Sequence, residues 1–158
     1  MRNPLSDDER DAKLQRLWPV HCVQGTHGAS IIPEIASDKI DVTVTKGMDA
    51  KVEMYSAFAD AFGNSCVETG GVNIDLESTL KEHHVTDVFI VGIAGDYCVK
   101  YTAIDAAERG FKSYVVEDAV KCVDPDDGWK EVKAELVDRG IQIIGSNSSQ
   151  LNAVRHMS

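Results

Sequence analysis

The stretch Thr86–Glu117, TDVFIVGIAGDYCVKYTAIDAAERGFKSYVVE, determines the fold class of the chain. Within it, Val88–Val91 is an unbroken apolar run rich in β-branched residues. Such a run is typical of a strand that is buried on both faces, as in a parallel sheet. Phe111–Val116 is a second run of this kind and predicts a second buried strand.

A glycine-rich turn and a helix connect these two strands. Gly92 and Gly95 let the backbone turn sharply, and Asp96 is placed to cap a helix that opens at Tyr97. Gly110 is suited to end that helix as its C′ residue. The order strand, helix, strand predicts a βαβ unit with parallel strands and a right-handed crossover. The fold class is therefore α/β.

Cys98 is the candidate for chemistry in this unit. It lies in the first turn of the predicted helix, just past the carboxyl end of a strand, where open α/β sheets bind ligands. Free backbone N–H groups and the positive end of the helix dipole converge there, and both favour a thiolate over a thiol. The same N–H groups can hold an oxyanion. The alternative is a buried cysteine that acts as a small hydrophobic residue, and both interpretations stay open here.

Composition limits the classes of function. A chain of 158 residues is long enough for one domain with a core. The formal net charge of -10 and the pI of about 4.8 argue against nucleic acids and anionic membranes as partners. No apolar run approaches the length of a membrane span, and the N-terminus MRNPLSDDER resembles neither a signal nor a transit peptide. The four cysteines (Cys22, Cys66, Cys98 and Cys122) have no disulfide-framework spacing, so we expect reduced thiols and a cytoplasmic protein.

The rest of the chain predicts one domain over residues 1–145 and a loose tail over residues 146–158. Capping residues and periodicity predict helices over residues 6–16 and 73–84, the second capped by Asn73. Alternating Ile and Val predict a strand over residues 39–45, and a last strand covers residues 141–144. A further helix follows Asp124, with an apolar face formed by Trp129, Val132, Leu136 and Val137.

Three blocks of sequence, in the same order, resemble the nicotinamidase branch of the isochorismatase-like cysteine hydrolases. They are LWPVHCVQGTHGA from Leu17, KGMDAKVEMYSAF from Lys46 and GIAGDYCVKYTA from Gly92. The resemblance implies a three-layer, doubly wound, mainly parallel sheet with strand order 3-2-1-4-5-6. It also implies hydrolysis of nicotinamide, or a similar carboxamide, to the acid and ammonia.

The resemblance assigns roles to five residues. Cys98 would attack the carboxamide carbon, with Lys46 beside the thiolate. The N–H groups of Ala94 and Cys98 would hold the oxyanion, and relatives have a cis peptide bond before this alanine. Trp18 would line the pocket against the pyridine ring, and Tyr55 would lie beside it. On the sequence alone, Trp18 is more simply a packed aromatic residue, and core packing explains Tyr55 equally well.

The resemblance further implies a divalent metal ion, Zn²⁺ in our expectation, with His21 as one ligand. On the sequence alone, a histidine in this position is more simply a surface residue. Gly95 departs from the larger residue common in relatives, which predicts a changed pocket shape.

Two motifs of the family, and two strands with them, are absent from this sequence. A DxQ-like block carries the catalytic aspartate in relatives, and a DxH-like block carries further metal ligands. Strands 1 and 2 of the family order are missing, so the strand over Val88–Val91 is expected to have an unpaired edge. The sequence therefore predicts a self-associating chain that contains an incomplete domain. The alternative to an enzyme is a non-catalytic module that binds a ligand or a full-length paralogue.

Overall fold

A parallel sheet of three strands forms the centre of the fold. The computed structural model describes residues 1–64 and 71–155. The strands are β1 (Asp87–Ile93), β2 (Lys112–Lys121) and β3 (Gln142–Ile144), in the order β1-β2-β3. Both neighbouring pairs are parallel, which confirms the predicted βαβ unit. A break in the β1–β2 register between Ile90 and Gly92 lets β2 continue beyond its predicted end.

Four α-helices accompany the sheet in the described part of the chain. They are α1 (Leu76–Glu82), α2 (Lys100–Glu108), α3 (Asp127–Asp138) and α4 (Ser149–Arg155). α1 starts at Leu76 because Asp75, and not Asn73, caps it by accepting the N–H of Ser78. Asn73 instead accepts the N–H of Thr45 at 2.6 Å. α4 occupies part of the segment that we expected to be a loose tail.

The main core lies where α2 and α3 pack on one face of the sheet. Its most buried side chains are Ala103 of α2, Val115 of β2, Leu136 of α3 and Ile141. Both helices lie on the same face of the sheet, so one apolar layer serves both. Within α3, Trp129, Val132 and Leu136 are buried as predicted. Val137 is 57% exposed, so its predicted place on the buried face is wrong.

The opposite face of the sheet is much less covered. Phe89 and Tyr114 stack on it, with ring centroids 4.7 Å apart, and α4 lies across a groove from them. Val91 is 56% exposed and Ile93 is 76% exposed. The prediction that β1 is buried on both faces is therefore wrong. The reason is that α1, α2 and α3 all pack on the other face, against Val88 and Ile90.

The segment before α1 contains little regular structure. The predicted helix over residues 6–16 is reduced to a single 3₁₀ turn, Glu9–Asp11, because its charged sequence offers no apolar face to pack. The predicted strand over residues 39–45 does not form, and one antiparallel bridge joins Lys46 to Val72 instead. Residues 19–43 are exposed throughout. A strand needs a neighbour along its length for its backbone N–H and C=O groups. Within residues 1–64 and 71–155, the segment 39–45 has one only at its end, where the N–H of Asn73 donates to the carbonyl oxygen of Thr45 at 3.2 Å.

None of the helices in the described residues is both long and apolar enough to cross a membrane.

Candidate active site

The turn between β1 and α2 positions Cys98. Residues Gly95–Val99 form a π-helical turn, in which the carbonyl oxygen of Ala94 accepts the N–H groups of Tyr97 at 3.1 Å and Val99 at 3.0 Å. This turn is wider than the first turn of an α-helix. Cys98 therefore lies at the carboxyl end of β1, as the sequence predicts, and its side chain is half-buried.

Asp96 does not cap this helix, so the prediction of its role is wrong. Its carboxylate accepts the backbone N–H groups of Val123 at 3.0 Å and Asp124 at 2.8 Å. Two donors from the loop after β2 outcompete the local cap, because together they satisfy both carboxylate oxygens. Asp96 thus ties the turn that holds Cys98 to the connection between β2 and α3.

Lys46 reaches the thiol of Cys98. Its Nζ lies 3.4 Å from the Cys98 Sγ and donates to the carbonyl oxygens of Met54 and Tyr55, each at 2.8 Å. An ammonium group has three protons, so these three partners account for all of them. Because the carbonyl groups fix two of the three directions, the charge is held beside the sulfur.

Backbone donors complete the surroundings of the thiol. The peptide bond between Ile93 and Ala94 is cis, as the resemblance implies. Within residues 1–64 and 71–155, the N–H of Ala94 donates to no acceptor. An N–H group without an acceptor at a strand-to-helix turn is suited to an oxyanion.

Four aromatic rings form a cluster beside Cys98. The ring of Trp18 meets Tyr97 edge to face at 4.8 Å, and Tyr55 lies 5.3 Å from Tyr97 and 5.5 Å from Tyr101. The indole N–H of Trp18 donates to the Tyr55 hydroxyl at 3.0 Å. The structure therefore brings Trp18 and Tyr55 together near Cys98, although Trp18 belongs to a segment 80 positions away.

Sequence analysis missed Tyr97 and Tyr101 as members of this cluster. Their spacing could have indicated it, because Tyr97 and Tyr101 are four residues apart and therefore share one face of a helix, on either side of Cys98 in the sequence. It also missed Arg16, whose guanidinium lies 5.1 Å from the centre of the Trp18 ring and donates to the Tyr97 hydroxyl. An exposed arginine next to a tryptophan in a loop gives no sequence signal of that contact.

Gly95 affects the packing beneath the turn, and not the predicted pocket shape. A Cβ atom on Gly95 would lie 2.5 Å from the Sγ of Cys122, 2.6 Å from a methyl group of Val120 and 3.1 Å from the Trp129 ring. A side chain at this position would therefore point into the core, away from the aromatic cluster. Cys122 and Val120 fill the space that a side chain at position 95 would need.

The environment of Cys122 disfavours its thiolate form. Burial raises the pKa of the Cys122 thiol, and the negative charge of Asp96 raises it further. Cys22 is exposed, and Cys66 lies outside the described residues.

His21 does not form a metal site with the residues that the structure describes. Its Nδ1 lies 2.6 Å from the carbonyl oxygen of Pro19, and its side chain is exposed. Within residues 1–64 and 71–155, no group of three His, Cys, Asp or Glu side chains is arranged to hold a metal ion. A catalytic zinc ion usually has three protein ligands, so the donor set present does not fit one.

A proton carrier is also missing from the part of the chain described here. No carboxylate or imidazole in it forms a hydrogen bond with Cys98 or Lys46. Asp96, the carboxylate nearest to Cys98 in sequence, is bound to Val123 and Asp124.

Fold and site together define an α/β protein with a cysteine at a strand-to-helix turn and a lysine beside it. Residues 2–148 match the isochorismatase domain, and the chain belongs to that family. It is 37% identical to the nicotinamidase of Acinetobacter baylyi over 134 residues, which cover 85% of this chain and 59% of that protein.

Solved structures of relatives agree with this assignment. The yeast nicotinamidase bound to the inhibitor nicotinaldehyde is 33% identical, with a TM-score of 0.77, and the match covers 91% of this chain and 65% of that one. The pyrazinamidase of Pyrococcus horikoshii in complex with zinc is 34% identical, with a TM-score of 0.62 and coverage of 82% and 63%. The α/β fold class with a parallel sheet is thereby confirmed. The chain spans less than two thirds of the length of each of these relatives.

Proposed function

We propose that this chain carries the nucleophile side of a nicotinamidase-type active site, which converts nicotinamide and water to nicotinate and ammonia. The observation that carries the proposal is the distance of 3.4 Å between the Lys46 ammonium and the Cys98 sulfur. The nicotinamidase relatives and the nicotinaldehyde bound to the yeast enzyme support the choice of substrate.

In the first step, the Cys98 thiolate adds to the carboxamide carbon, and the carbonyl π electrons move to the oxygen. The N–H groups of Ala94 and Cys98 stabilise the resulting oxyanion. The carbonyl group then re-forms as the C–N bond breaks, which leaves a thioester on Cys98, and the departing nitrogen takes the proton that the Cys98 thiol gave up and leaves as ammonia. Water attacks the thioester, which releases nicotinate and restores the thiol. Throughout, Lys46 provides a positive charge beside the sulfur.

The aromatic cluster supports a planar, heteroaromatic substrate. Trp18 and Tyr55 provide ring faces and edges next to Cys98, and the ring of Tyr97 contacts both of them. Aromatic rings bind one another in stacked or edge-to-face arrangements over centroid distances of about 4.5–7 Å. A pyridine ring fits this environment better than an aliphatic amide does.

Full turnover also needs a group that takes the thiol proton and gives it to the leaving ammonia. General acid–base catalysis contributes roughly 10²–10⁴-fold. Since no carboxylate or imidazole in the described residues contacts Cys98 or Lys46, we propose that this chain alone turns over slowly. The same observation favours the second candidate function, a module that binds nicotinamide-like ligands without hydrolysing them.

Trapping with nicotinaldehyde tests the nucleophile and the pocket without requiring turnover. The Cys98 thiolate adds to the aldehyde carbon and the oxygen takes up a proton, so a thiohemiacetal forms. We expect ¹³C NMR of carbonyl-labelled nicotinaldehyde to show this adduct in the wild type and in Cys122→Ala, but not in Cys98→Ala. An adduct that survives Cys98→Ala, or no adduct in the wild type, would overturn the assignment of Cys98.

Ammonia release from nicotinamide, measured on the same preparations with and without added Zn²⁺, separates the two candidate functions. An adduct whose ammonia release does not exceed that of Cys98→Ala supports the binding module. An adduct with ammonia release, however slow, that Cys98→Ala abolishes supports the hydrolase. We place the reaction in the cytoplasm as part of the proposal, because a nucleophilic cysteine needs a compartment that keeps thiols reduced.

A further inference from the structure

Asp96 precedes Cys98 by two residues in the Gly95–Val99 turn, but its carboxylate is bound outside that turn. One oxygen accepts the N–H of Val123 at 3.0 Å, and the other accepts the N–H of Asp124 at 2.8 Å. Such charge-assisted hydrogen bonds are roughly twice as strong as neutral ones. These two bonds, named here the Asp96 latch, join the turn that carries Cys98 to the residues that follow β2.

Capping the following helix is the usual role of an aspartate at this position. An N-cap carboxylate accepts the N–H of the second or third helical residue, which here would be Cys98 or Val99. In the structure, the N–H of Val99 donates instead to the carbonyl oxygen of Ala94 at 3.0 Å, and the turn is π-helical. A capped turn and a latched turn are therefore alternative arrangements of the same residues.

The capped arrangement is unsuited to a nucleophile at Cys98. A carboxylate on the N–H of Cys98 would occupy a donor that the proposed oxyanion needs. It would also bring a negative charge to the sulfur, and a like charge disfavours a thiolate. The Asp96 latch prevents this, because both carboxylate oxygens already accept from Val123 and Asp124.

Core packing fixes the ends of the turn more firmly than its middle. Gly95 and Val99 are buried, whereas the three residues between them are only partly buried. The middle of the turn therefore depends on polar and aromatic contacts. Two of these are the latch at Asp96 and the contact between the Lys46 ammonium and the Cys98 sulfur at 3.4 Å.

We propose that Asp96 is a positioning residue for Cys98, and that the Asp96 latch holds the turn in its π-helical form. In this form the Cys98 thiol stays beside the Lys46 ammonium, and the N–H of Cys98 stays available to the oxyanion. This role rests on the proposed function, since it concerns the same nucleophile. The latch and the turn both lie within residues 94–124, and Asp96 acts through the backbone without touching the substrate.

Asp96→Ala and Asp118→Ala are matched variants for a test. Asp118 also ties two segments together through its carboxylate, which accepts the N–H of Ser146 at 2.9 Å and the Ser146 hydroxyl. Its contact joins β2 to the residue region after β3 and does not involve the turn at Cys98. Asp96→Asn removes the charge of Asp96 but keeps one oxygen that can accept in the latch. Urea unfolding and far-UV circular dichroism of all three variants check that the fold is kept.

Alkylation of Cys98 by iodoacetamide at pH 7, followed by mass mapping, tests the role without any substrate. We expect a rate about tenfold lower in Asp96→Ala, an intermediate rate in Asp96→Asn, and the wild-type rate in Asp118→Ala. Loss of the charge alone has the opposite sign, because removal of a nearby carboxylate favours the thiolate. An unchanged or faster rate in Asp96→Ala overturns the proposal, and so does equal slowing in Asp118→Ala.

The ¹³C NMR signal of the nicotinaldehyde adduct gives a readout that a general loss of stability would not change. We expect the dissociation constant of the thiohemiacetal to rise about tenfold in Asp96→Ala, to rise less in Asp96→Asn, and to stay unchanged in Asp118→Ala. An adduct equally tight in Asp96→Ala and the wild type overturns the positioning role. If the wild type forms no adduct, the proposed function fails, and the alkylation rates alone decide whether Asp96 positions Cys98.

Discussion

The ammonium group of Lys46 lies 3.4 Å from the sulfur of Cys98, although the two residues are 52 positions apart in the sequence. The Lys46 Nζ is held there by the carbonyl oxygens of Met54 and Tyr55, which belong to the segment that follows it. The contact therefore depends on a loop that folds back over its own lysine. The three sheet strands do not contribute to the hydrogen bonds that position Lys46.

Removing the Lys46 charge should slow the alkylation of Cys98. Two unit charges at about 4 Å interact by roughly 4 kcal/mol at an effective dielectric constant of about 20, and partial exposure of both groups reduces this value. We expect Lys46→Met to lower the rate of Cys98 modification by iodoacetamide at pH 7 by about tenfold, as followed by mass mapping. Lys133→Met, which removes a lysine that pairs with Glu117 elsewhere, is the control.

The other thiols provide an internal comparison in the same experiment. In the wild type, Cys98 should react first, and Cys122 should react much more slowly because burial and Asp96 raise its pKa. Cys22 should also be slower than Cys98, since it lies outside the strand-to-helix turn that favours a thiolate. The sequence predicts the same for Cys66. If Cys98 is modified last, or if Lys46→Met leaves its rate unchanged, the lysine does not activate it.

Gly95→Ala should destabilise the protein through the packing beneath the turn. The added Cβ would lie 2.5 Å from the Cys122 sulfur and 2.6 Å from a Val120 methyl group. Overpacking of a core by one methyl group costs about 1–3 kcal/mol, which urea unfolding can measure. Gly28→Ala is the matched control, because its Cβ would meet its nearest neighbour at 3.7 Å.

A double-mutant cycle locates the source of that loss. Cys122→Ala removes the sulfur but leaves Val120 in place, so Gly95→Ala should cost less in the Cys122→Ala background, without becoming neutral. An equal cost in both backgrounds would show that the clash with Cys122 is not what excludes a side chain at Gly95.

Asp105 should make the stability of the protein depend on pH. Burial raises the pKa of its carboxyl group, although a hydrogen bond from Ser56 and the charge of Arg109 act in the opposite direction. In the pH range above the ordinary value of 3.8, the folded state then holds this proton more tightly than the unfolded chain does. The contribution of Asp105 to the free energy of unfolding therefore falls as the pH rises through that range.

Asp105→Asn removes this titration while keeping an oxygen that can accept from Ser56. We expect the variant to gain stability relative to the wild type as the pH rises above 3.8, and the difference to level off once Asp105 is ionised in the folded state. Chemical unfolding at a series of pH values measures this. Asp138→Asn, at an exposed position on α3, should show no such trend. A difference that shrinks with rising pH would have the wrong sign for a buried carboxyl group.

Local sequence signals predicted the second half of the chain well. The apolar runs gave β1 and β2, and the i, i+3, i+7 spacing of Trp129, Val132 and Leu136 gave the buried face of α3. These elements pack against their neighbours in sequence, so a local pattern contains most of the information about them. The alternation over residues 39–45 was misleading, because a strand also needs a neighbour along its length. Among the described residues, only Asn73 reaches the backbone of this segment from elsewhere in the chain, and it does so at the segment's end.

Long-range contacts were less predictable from the sequence. Asp96 follows a strand and precedes a helix, which is the pattern of a helix cap. Its carboxylate oxygens instead accept the backbone N–H groups of Val123 and Asp124. The aromatic cluster was equally hard to predict, because it forms only when a distant loop brings Trp18 to Tyr97. The end of the predicted strand over residues 39–45 placed Lys46 only at the same edge of the sheet as Cys98. The resemblance to a family gave the contact itself, since no spacing rule connects residues 52 positions apart.

Metal binding by this chain alone should be weak, and His21 should contribute little to it. A zinc site with three protein ligands needs donors that converge, whereas the Nδ1 of His21 already lies 2.6 Å from the Pro19 carbonyl oxygen, which leaves Nε2 as its free donor. One exposed imidazole binds Zn²⁺ no better than another, so His21→Ala and His27→Ala should have equally small effects in a competition assay with a chromophoric chelator. Stoichiometric metal retained through purification without added salts would contradict the prediction. A loss of that metal in His21→Ala but not in His27→Ala would then assign His21 as a ligand, with Asp7, Asp8 and Asp11 as the next donors to test.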